Sequence, residues 1–297
     1  MHKNSYHNTK YNFDELVKNY DALKEHVFIN DYQTQTIDFS NPLAVKALNT
    51  ALLATHYDIK FWEFPDQNLC PPIPSRADYM HHLADLLRRN KLQSTVHILD
   101  IGTGATAVYP LLGHSIYKWH FVGTDVDKNS LQIAQNIIEK NNITAAIELR
   151  LQPDYQHILK GVIKSTDRFT ASVCNPPFYK SQADALEATK TKLKGLGKGG
   201  DKVVRNFSGT PTELCYAGGE KAFLHNYLYE SSQYKQQCFW FTSLVSNVNH
   251  VESMRASLKK LGATQFEVLD MIQGNKVSRI VAWSFLTEDE QNDWNKK

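Results

Sequence analysis

Apolar positions recur with two different periods along this chain. In the first part, Ala44, Ala47, Leu48, Ala51 and Leu52 fall on one face of a helix, directly after the start signal Asn41-Pro42. Pro65, Pro71, Pro72 and Pro74 then interrupt regular structure. Tyr79, Leu83, Leu86 and Leu87 mark another helix, closed by Arg88 and Arg89, where cations suit the helix dipole. Up to about residue 75 the chain reads as helices and loops.

From Val96 the period changes. Short apolar runs at Val96–Ile101, Phe121–Thr124, Ile147–Leu151, Phe169–Cys174 and Cys238–Val245 predict strands, and helical stretches such as Leu131, Ala134 and Ile138 lie between them. Two further strands are expected at Phe266–Met271 and Arg279–Phe285. Alternating strands and helices imply an α/β fold with a mostly parallel sheet. The last two strands are joined only through Gln273-Gly274-Asn275, too short for a parallel crossover, so one antiparallel strand is expected near the sheet edge.

With 297 residues, 42% of them hydrophobic and 22% charged, the chain is long enough for a sizeable core and ordinary for a soluble globular protein. No apolar stretch is long enough to span a bilayer, and Met1 to Tyr11 carries no signal-peptide core, which predicts a cytoplasmic protein with no membrane partner. Cys70, Cys174, Cys215 and Cys238 lie far apart and form no CxxC pair, so neither a metal site nor a disulfide framework is indicated. A formal net charge of +2 is too small to argue for nucleic acid by itself.

The candidate chemistry sits at strand ends. Asp100-Ile101-Gly102-Thr103-Gly104 follows the first core strand, where open α/β sheets bind ligands. Gly102 and Gly104 let the backbone approach a ligand closely, but GxG alone is a weak signal. Asp125, at the end of the next strand, adds a carboxylate able to accept from both hydroxyls of a ribose; the simpler reading makes it a helix cap. Asp100 is placed to organise the loop or bind an amino group. Together these residues predict a nucleoside site, for NAD or for S-adenosylmethionine.

Asn175-Pro176-Pro177-Phe178, after the fourth core strand, separates the two. Two prolines stiffen the turn and remove two N–H donors, leaving carbonyls and the Asn175 amide oxygen as an acceptor array for an NH2 group. Phe178 offers a face for a planar base or amide. Such an array serves methylation of an exocyclic amine and has no role in hydride transfer. It leaves adenine N6, guanine N2 and a protein glutamine amide open as acceptors.

Asp100, Gly102, Gly104, Asp125 and Asn175–Phe178 together resemble the class I S-adenosylmethionine-dependent amino methyltransferases, with a Rossmann-like α/β sheet. The stretches Asp38–Asn49, Leu69–Tyr79 and Trp240–Ser246 narrow the resemblance to the bacterial ribosomal RNA large subunit methyltransferase F family, related to the methyltransferase-like 16 proteins; it covers about Tyr11 to Phe285. It implies methylation of N6 of one adenine in 23S rRNA, with S-adenosyl-L-methionine as cofactor, S-adenosyl-L-homocysteine as product and no metal. It further implies that Arg76 holds the cofactor carboxylate, that Asp100, Gly102, Gly104 and Asp125 bind the cofactor, and that Asp154 lies near its adenine. Asn175, with Pro176, Pro177 and Phe178, would be catalytic. Ala105-Thr106 departs from the glycine or acid usual after the loop. The implied partner is 23S rRNA or a large-subunit assembly intermediate, with no obligate protein partner evident. A non-catalytic RNA-binding relative is the rival outside enzymology.

The resemblance and the patterning divide the chain into a helical, RNA-contacting extension over 1–75 and a catalytic domain over 76–297, with a basic insertion at 179–219. That insertion carries seven lysines and arginines against four acids, and follows Phe178 directly, within reach of phosphates around a bound base. Tyr179 or Phe207 could replace stacking lost by that base, with ordinary packing the simpler reading. Lys3, Lys10 and the early histidines add positive character, a candidate second RNA wall.

Overall fold

The computed structural model describes residues 1–92, 95–185, 187, 209–273 and 276–294. Strands β1 (Val27–Ile29) and β2 (Gln35–Ile37) form a small antiparallel hairpin. The remaining strands, β3 (His97–Ile101), β4 (His120–Asp125), β5 (Ile147–Leu151), β6 (Phe169–Cys174), β7 (Cys238–Val245), β8 (Gln265–Gln273) and β9 (Lys276–Ser284), make one sheet in the order β5-β4-β3-β6-β7-β9-β8. Strands β3 to β7 run parallel to one another, while β9 runs antiparallel to both β7 and β8. The reversed strand lies one place in from the edge. The whole of β6 and of β7 is buried, as a strand covered on both faces requires.

The sheet separates two apolar clusters. Along β9, Ile280 and Ala282 face one and Val281 and Trp283 the other, the period-two alternation of a strand. The helices Ile73–Arg89 and Val108–Tyr117 pack in the first cluster, and Gly219–Ser231 and Val248–Leu261 in the second. This is the three-layer α/β architecture that the strand pattern predicts, in the doubly wound form that the methyltransferase resemblance implies.

Asn41 caps the Pro42–His56 helix by accepting from the N–H groups of Leu43 and Ala44, with Pro42 at the first helical position. The N-terminal residues share the first cluster: Leu16, Leu23, Leu48, Leu52 and Trp62 lie with Ile98 and Phe121 of the sheet. The hairpin β1–β2 was not legible among the helices and loops expected there, because strands this short carry too few alternating positions.

The early histidines do not form a basic surface. His2 and His7 are buried; His2 Nε2 lies 2.9 Å from Asp85, and His7 Nε2 lies 2.9 Å from the Tyr57 hydroxyl. Burial, then neighbouring His56 and His81, push the His7 pKa down to about 4, so it is neutral at pH 7. Residues 12–41 hold six acids against two lysines, which disfavours phosphate there. Lys190, Lys192, Lys194, Lys198, Lys202, Arg205 and Phe207 of the basic insertion lie outside the described residues.

Candidate active site

The strand order turns at β3, whose neighbours β4 and β6 lead to opposite halves of the sheet, and a crevice opens at the carboxyl ends there. A cavity of about 380 Å³ occupies it. Arg76, Gly102, Gly104, Asp125, Asn175 and Pro177 all line this one cavity, although up to 101 positions separate them in the chain.

The loop after β3 is shaped by its glycines. Gly102 (φ +73°) and Gly104 (φ +63°) both adopt the left-handed region that a side chain disfavours. Open space lies where a Cβ on Gly102 would stand, which leaves its backbone accessible from the cavity. The loop is held from three sides. Gly102 and Thr103 donate backbone N–H to the Thr124 carbonyl, each at 2.9 Å. Gly104 N–H donates to Asp125 Oδ2 at 2.9 Å. Trp62 Nε1–H donates to the Thr106 carbonyl at 3.0 Å. Ala105 is fully buried, so where the family pattern has a glycine or acid this chain packs a small apolar side chain.

Asp125 ends β4 and lines the cavity; its Oδ1 accepts from Asp127 N–H at 2.9 Å. The helix cap is Asp127, which accepts from Asn129 N–H, and not Asp125. Burial pushes the Asp125 pKa up to about 6, against the pull of the two N–H bonds. Asp100, 1% exposed, lies behind the loop and outside the cavity lining. Neither of its carboxylate oxygens has a hydrogen-bond partner among the described residues. Burial raises its pKa to about 7, with Asp125 adding to the rise and Thr103 and Arg76 opposing it. An unpaired buried carboxylate is costly, and a cationic ligand arriving beside it removes the cost. Arg76, in the first turn of the Ile73–Arg89 helix, holds its guanidinium 5.5 Å from the Tyr109 ring centroid. A cation at the wall and an unpaired anion behind the loop suit a zwitterionic amino-acid end, as S-adenosylmethionine has.

The turn after β6 places Asn175 and Pro177 on the cavity wall, with Pro176 buried and Phe178 38% exposed, both outside the lining. Tyr179 is tied back by a bridge to Cys215: its N–H donates to the Leu214 carbonyl and its carbonyl accepts from Tyr216 N–H, both at 3.0 Å. That bridge lays the short Pro211–Leu214 helix across the cavity, where Thr212, Glu213 and Tyr216 join the lining. Asp154 stands differently from its neighbours. It is absent from the lining; its side chain accepts from Gln156 N–H, while Gln152, Tyr155, His157 and Ile158 reach the cavity.

Pattern reading missed Glu213 and the 152–158 wall. Glu213 accepts from Leu69 N–H at 3.1 Å and from Thr210 N–H at 2.7 Å, tying the covering helix to the N-terminal segment. The sequence signal was a capping box, Thr210 with Glu213, which announces a helix start and says nothing of a cavity.

The pKa values have a consequence for ligand binding. Both carboxylates are raised, so in the empty protein they favour folding below the ordinary carboxylate range and lose that contribution as pH rises through about 6 and about 7. If Asp100 serves a ligand ammonium, that cation reverses the preference. Affinity for S-adenosylhomocysteine is therefore expected to rise by roughly tenfold between pH 6 and pH 8. Titration calorimetry at the two pH values checks this, and a flat profile removes Asp100 from the ammonium site.

A glycine loop, an acid at the next strand end and an Asn-Pro-Pro-Phe turn on one cavity of this sheet define a class I S-adenosylmethionine-dependent methyltransferase. The chain belongs to the RNA methyltransferase family, whose model matches residues 1–287. It is 45% identical to the ribosomal RNA large subunit methyltransferase F of Flavobacterium psychrophilum, over 99% of this chain and 96% of the relative. It is equally 45% identical to that of Colwellia psychrerythraea, over 96% of this chain and 99% of the relative. Among solved structures, the human METTL16 catalytic domain in complex with a MAT2A 3′UTR hairpin superposes with a TM-score of 0.81 at 26% identity, covering 97% of this chain and 96% of that one. The METTL16 N-terminal domain in complex with SAH superposes at 0.78, also 26% identical, covering 97% and 99%.

Proposed function

We propose that this enzyme methylates N6 of one adenine in 23S rRNA, taking the methyl group from S-adenosylmethionine. The observation that carries the reading is that Asn175 and Pro177 line the same cavity as Arg76, Gly102 and Asp125, so an acceptor turn for an NH2 group adjoins a nucleoside site. The names of the curated relatives support ribosomal RNA, and the hairpin bound by METTL16 supports a structured RNA element as target.

The cofactor supplies an electrophilic methyl group on sulfur. Arg76 holds its carboxylate, Asp100 its ammonium, Asp125 its ribose, and the Gly102–Gly104 backbone gives it close approach. Phe178, exposed next to the cavity-lining Pro177, stacks on the target adenine once that base has left its helix or strand. The Asn175 amide oxygen and the turn carbonyls accept the two amine hydrogens. This draws the nitrogen lone pair out of conjugation with the ring, toward the methyl group. The nitrogen loses its proton readily after methylation, so no general base is required, and catalysis rests on positioning and electrostatics. The seven cations of the 179–219 segment, next in the chain, meet the phosphates around that base. Unmodified 23S rRNA, free or in a large-subunit assembly intermediate, is the substrate, and the cytoplasm is where the reaction runs. Among the described residues no helix is long and apolar enough to cross a membrane.

Methyl transfer from labelled S-adenosylmethionine to unmodified 23S rRNA, free or in precursor particles, tests the proposal. Label in N6-methyladenosine at one site is the expected result. Label in N2-methylguanosine, or in protein only, overturns it.

A further inference from the structure

Glu213 lines the cavity from the covering helix, yet both oxygens of its carboxylate are committed to the protein. Oε2 accepts from Thr210 N–H at 2.7 Å, from the Thr210 hydroxyl at 3.1 Å and from Leu69 N–H at 3.1 Å. Oε1 accepts from the buried Asn68 amide at 3.3 Å, and it stands 3.7 Å from the place that a Cβ on Gly104 would take. A carboxylate has about four acceptor sites, so little is left here for a ligand. The Thr210 bonds cap a helix. The Asn68 and Leu69 bonds do something else: they join segments 145 and 144 residues apart.

Those two bonds close a ring around the cavity. On one side the covering segment is bonded to the acceptor turn. Tyr179, next after Phe178, donates its N–H to the Leu214 carbonyl and accepts from Tyr216 N–H, both at 3.0 Å. On the other side Leu69 and Pro71 line the cavity and lead into the helix that carries Arg76. Buried Asn49 anchors that segment, donating to Cys70 Sγ at 3.5 Å and accepting from Ile73 N–H at 3.4 Å. Asn175 and Arg76 thus stand at the two ends of a path that passes through the Glu213 carboxylate.

We infer that Glu213 is a positioning residue that fixes the acceptor turn at attacking distance from the methyl group of the cofactor. The inference rests on the reading of this cavity as the place where an adenine amine meets S-adenosylmethionine. Methyl transfer needs its reacting atoms within about 3–3.5 Å, so a small displacement of one wall costs much of the rate. In Glu213→Gln an NH2 replaces one oxygen and meets donors on whichever side it faces. The ring opens, while Arg76, Gly102 and Asp125 stay in place.

Two measurements test this. Single-turnover methylation of 23S rRNA at saturating cofactor is expected to slow by about 10–100-fold in Glu213→Gln, with S-adenosylhomocysteine affinity changing by no more than about threefold. The second needs no RNA and uses a bisubstrate compound, an S-adenosylhomocysteine analogue joined through a short linker to N6 of adenosine. Wild-type enzyme is expected to bind it at least about tenfold more tightly than S-adenosylhomocysteine, and Glu213→Gln to lose that gain. Glu213→Asp keeps the charge but is too short to reach Leu69 and Thr210 together; it should lose the gain as well, and it keeps the test open if Glu213→Gln does not fold. A folded variant with the wild-type rate and the wild-type gain overturns the inference, since a merely stabilising Glu213 would move the Tm alone. Wild-type binding of S-adenosylhomocysteine with no gain from the linked adenosine overturns the inference together with the adenine reading and leaves the cofactor site standing. Binding of neither compound overturns the cofactor reading, and the inference with it.

Discussion

Asn175→Ala is expected to lower kcat by about 10²–10³-fold, the usual effect of removing one preorganised group that acts on the developing charge. The amide oxygen is the one side-chain acceptor of a turn whose other acceptors are backbone carbonyls, and two prolines hold it rigid. Without it the adenine amine keeps its lone pair in the ring, and the methyl group has no competent nucleophile. Cofactor affinity should stay nearly unchanged, since the cofactor is held by Arg76, the glycine loop and Asp125. Single-turnover methylation together with S-adenosylhomocysteine binding separates the two effects. A nearly normal rate would remove the acceptor-array mechanism, and a large loss of affinity with normal turnover would move Asn175 to the cofactor site.

Asp125→Ala is expected to weaken cofactor binding by roughly 10–100-fold, the cost of losing a charged hydrogen-bond acceptor in a buried site. Two losses add. The ribose loses its acceptor, and Gly104 N–H loses the oxygen that fixes the loop at 2.9 Å. Asp125→Asn retains an oxygen that can serve Gly104 but not two ribose hydroxyls as well, so it should fall between wild type and alanine. Equilibrium binding of S-adenosylhomocysteine to the three proteins measures this. Equal affinity throughout would show that the ribose lies elsewhere in the cavity.

Much of the scaffold could be read before folding, because each strand of the main sheet is a local apolar or alternating run bounded by polar or small residues. Val96–Ile101 and Cys238–Val245 needed no partner to be recognised, and the short turn after residue 273 required the antiparallel pair β8–β9. Tertiary context decided the rest. His2 and His7 look like surface cations in a polar N-terminus, but they are neutral or paired inside the fold, packed with Tyr57, His81 and Asp85. Trp62 and Glu213 shape the cavity through hydrogen bonds to Thr106, and to Asn68 and Leu69, across 44 residues and more, a range at which no local pattern exists.

By itself the sequence determined the layer architecture, the glycine loop, the acid one strand later and the acceptor turn, since each is written in contiguous residues whose backbone chemistry is local. Only the tertiary structure decided that these segments share one cavity. It also decided which carboxylates are buried, and therefore which are raised toward neutral pH. It brought Thr212, Glu213 and Tyr216 into the cavity wall and set the Glu230 carboxylate against the N–H groups of Ile158, Leu159 and Lys160. The physical reason is the same in each case: burial and hydrogen-bond satisfaction are properties of neighbours in space, and the neighbours that matter here are distant along the chain.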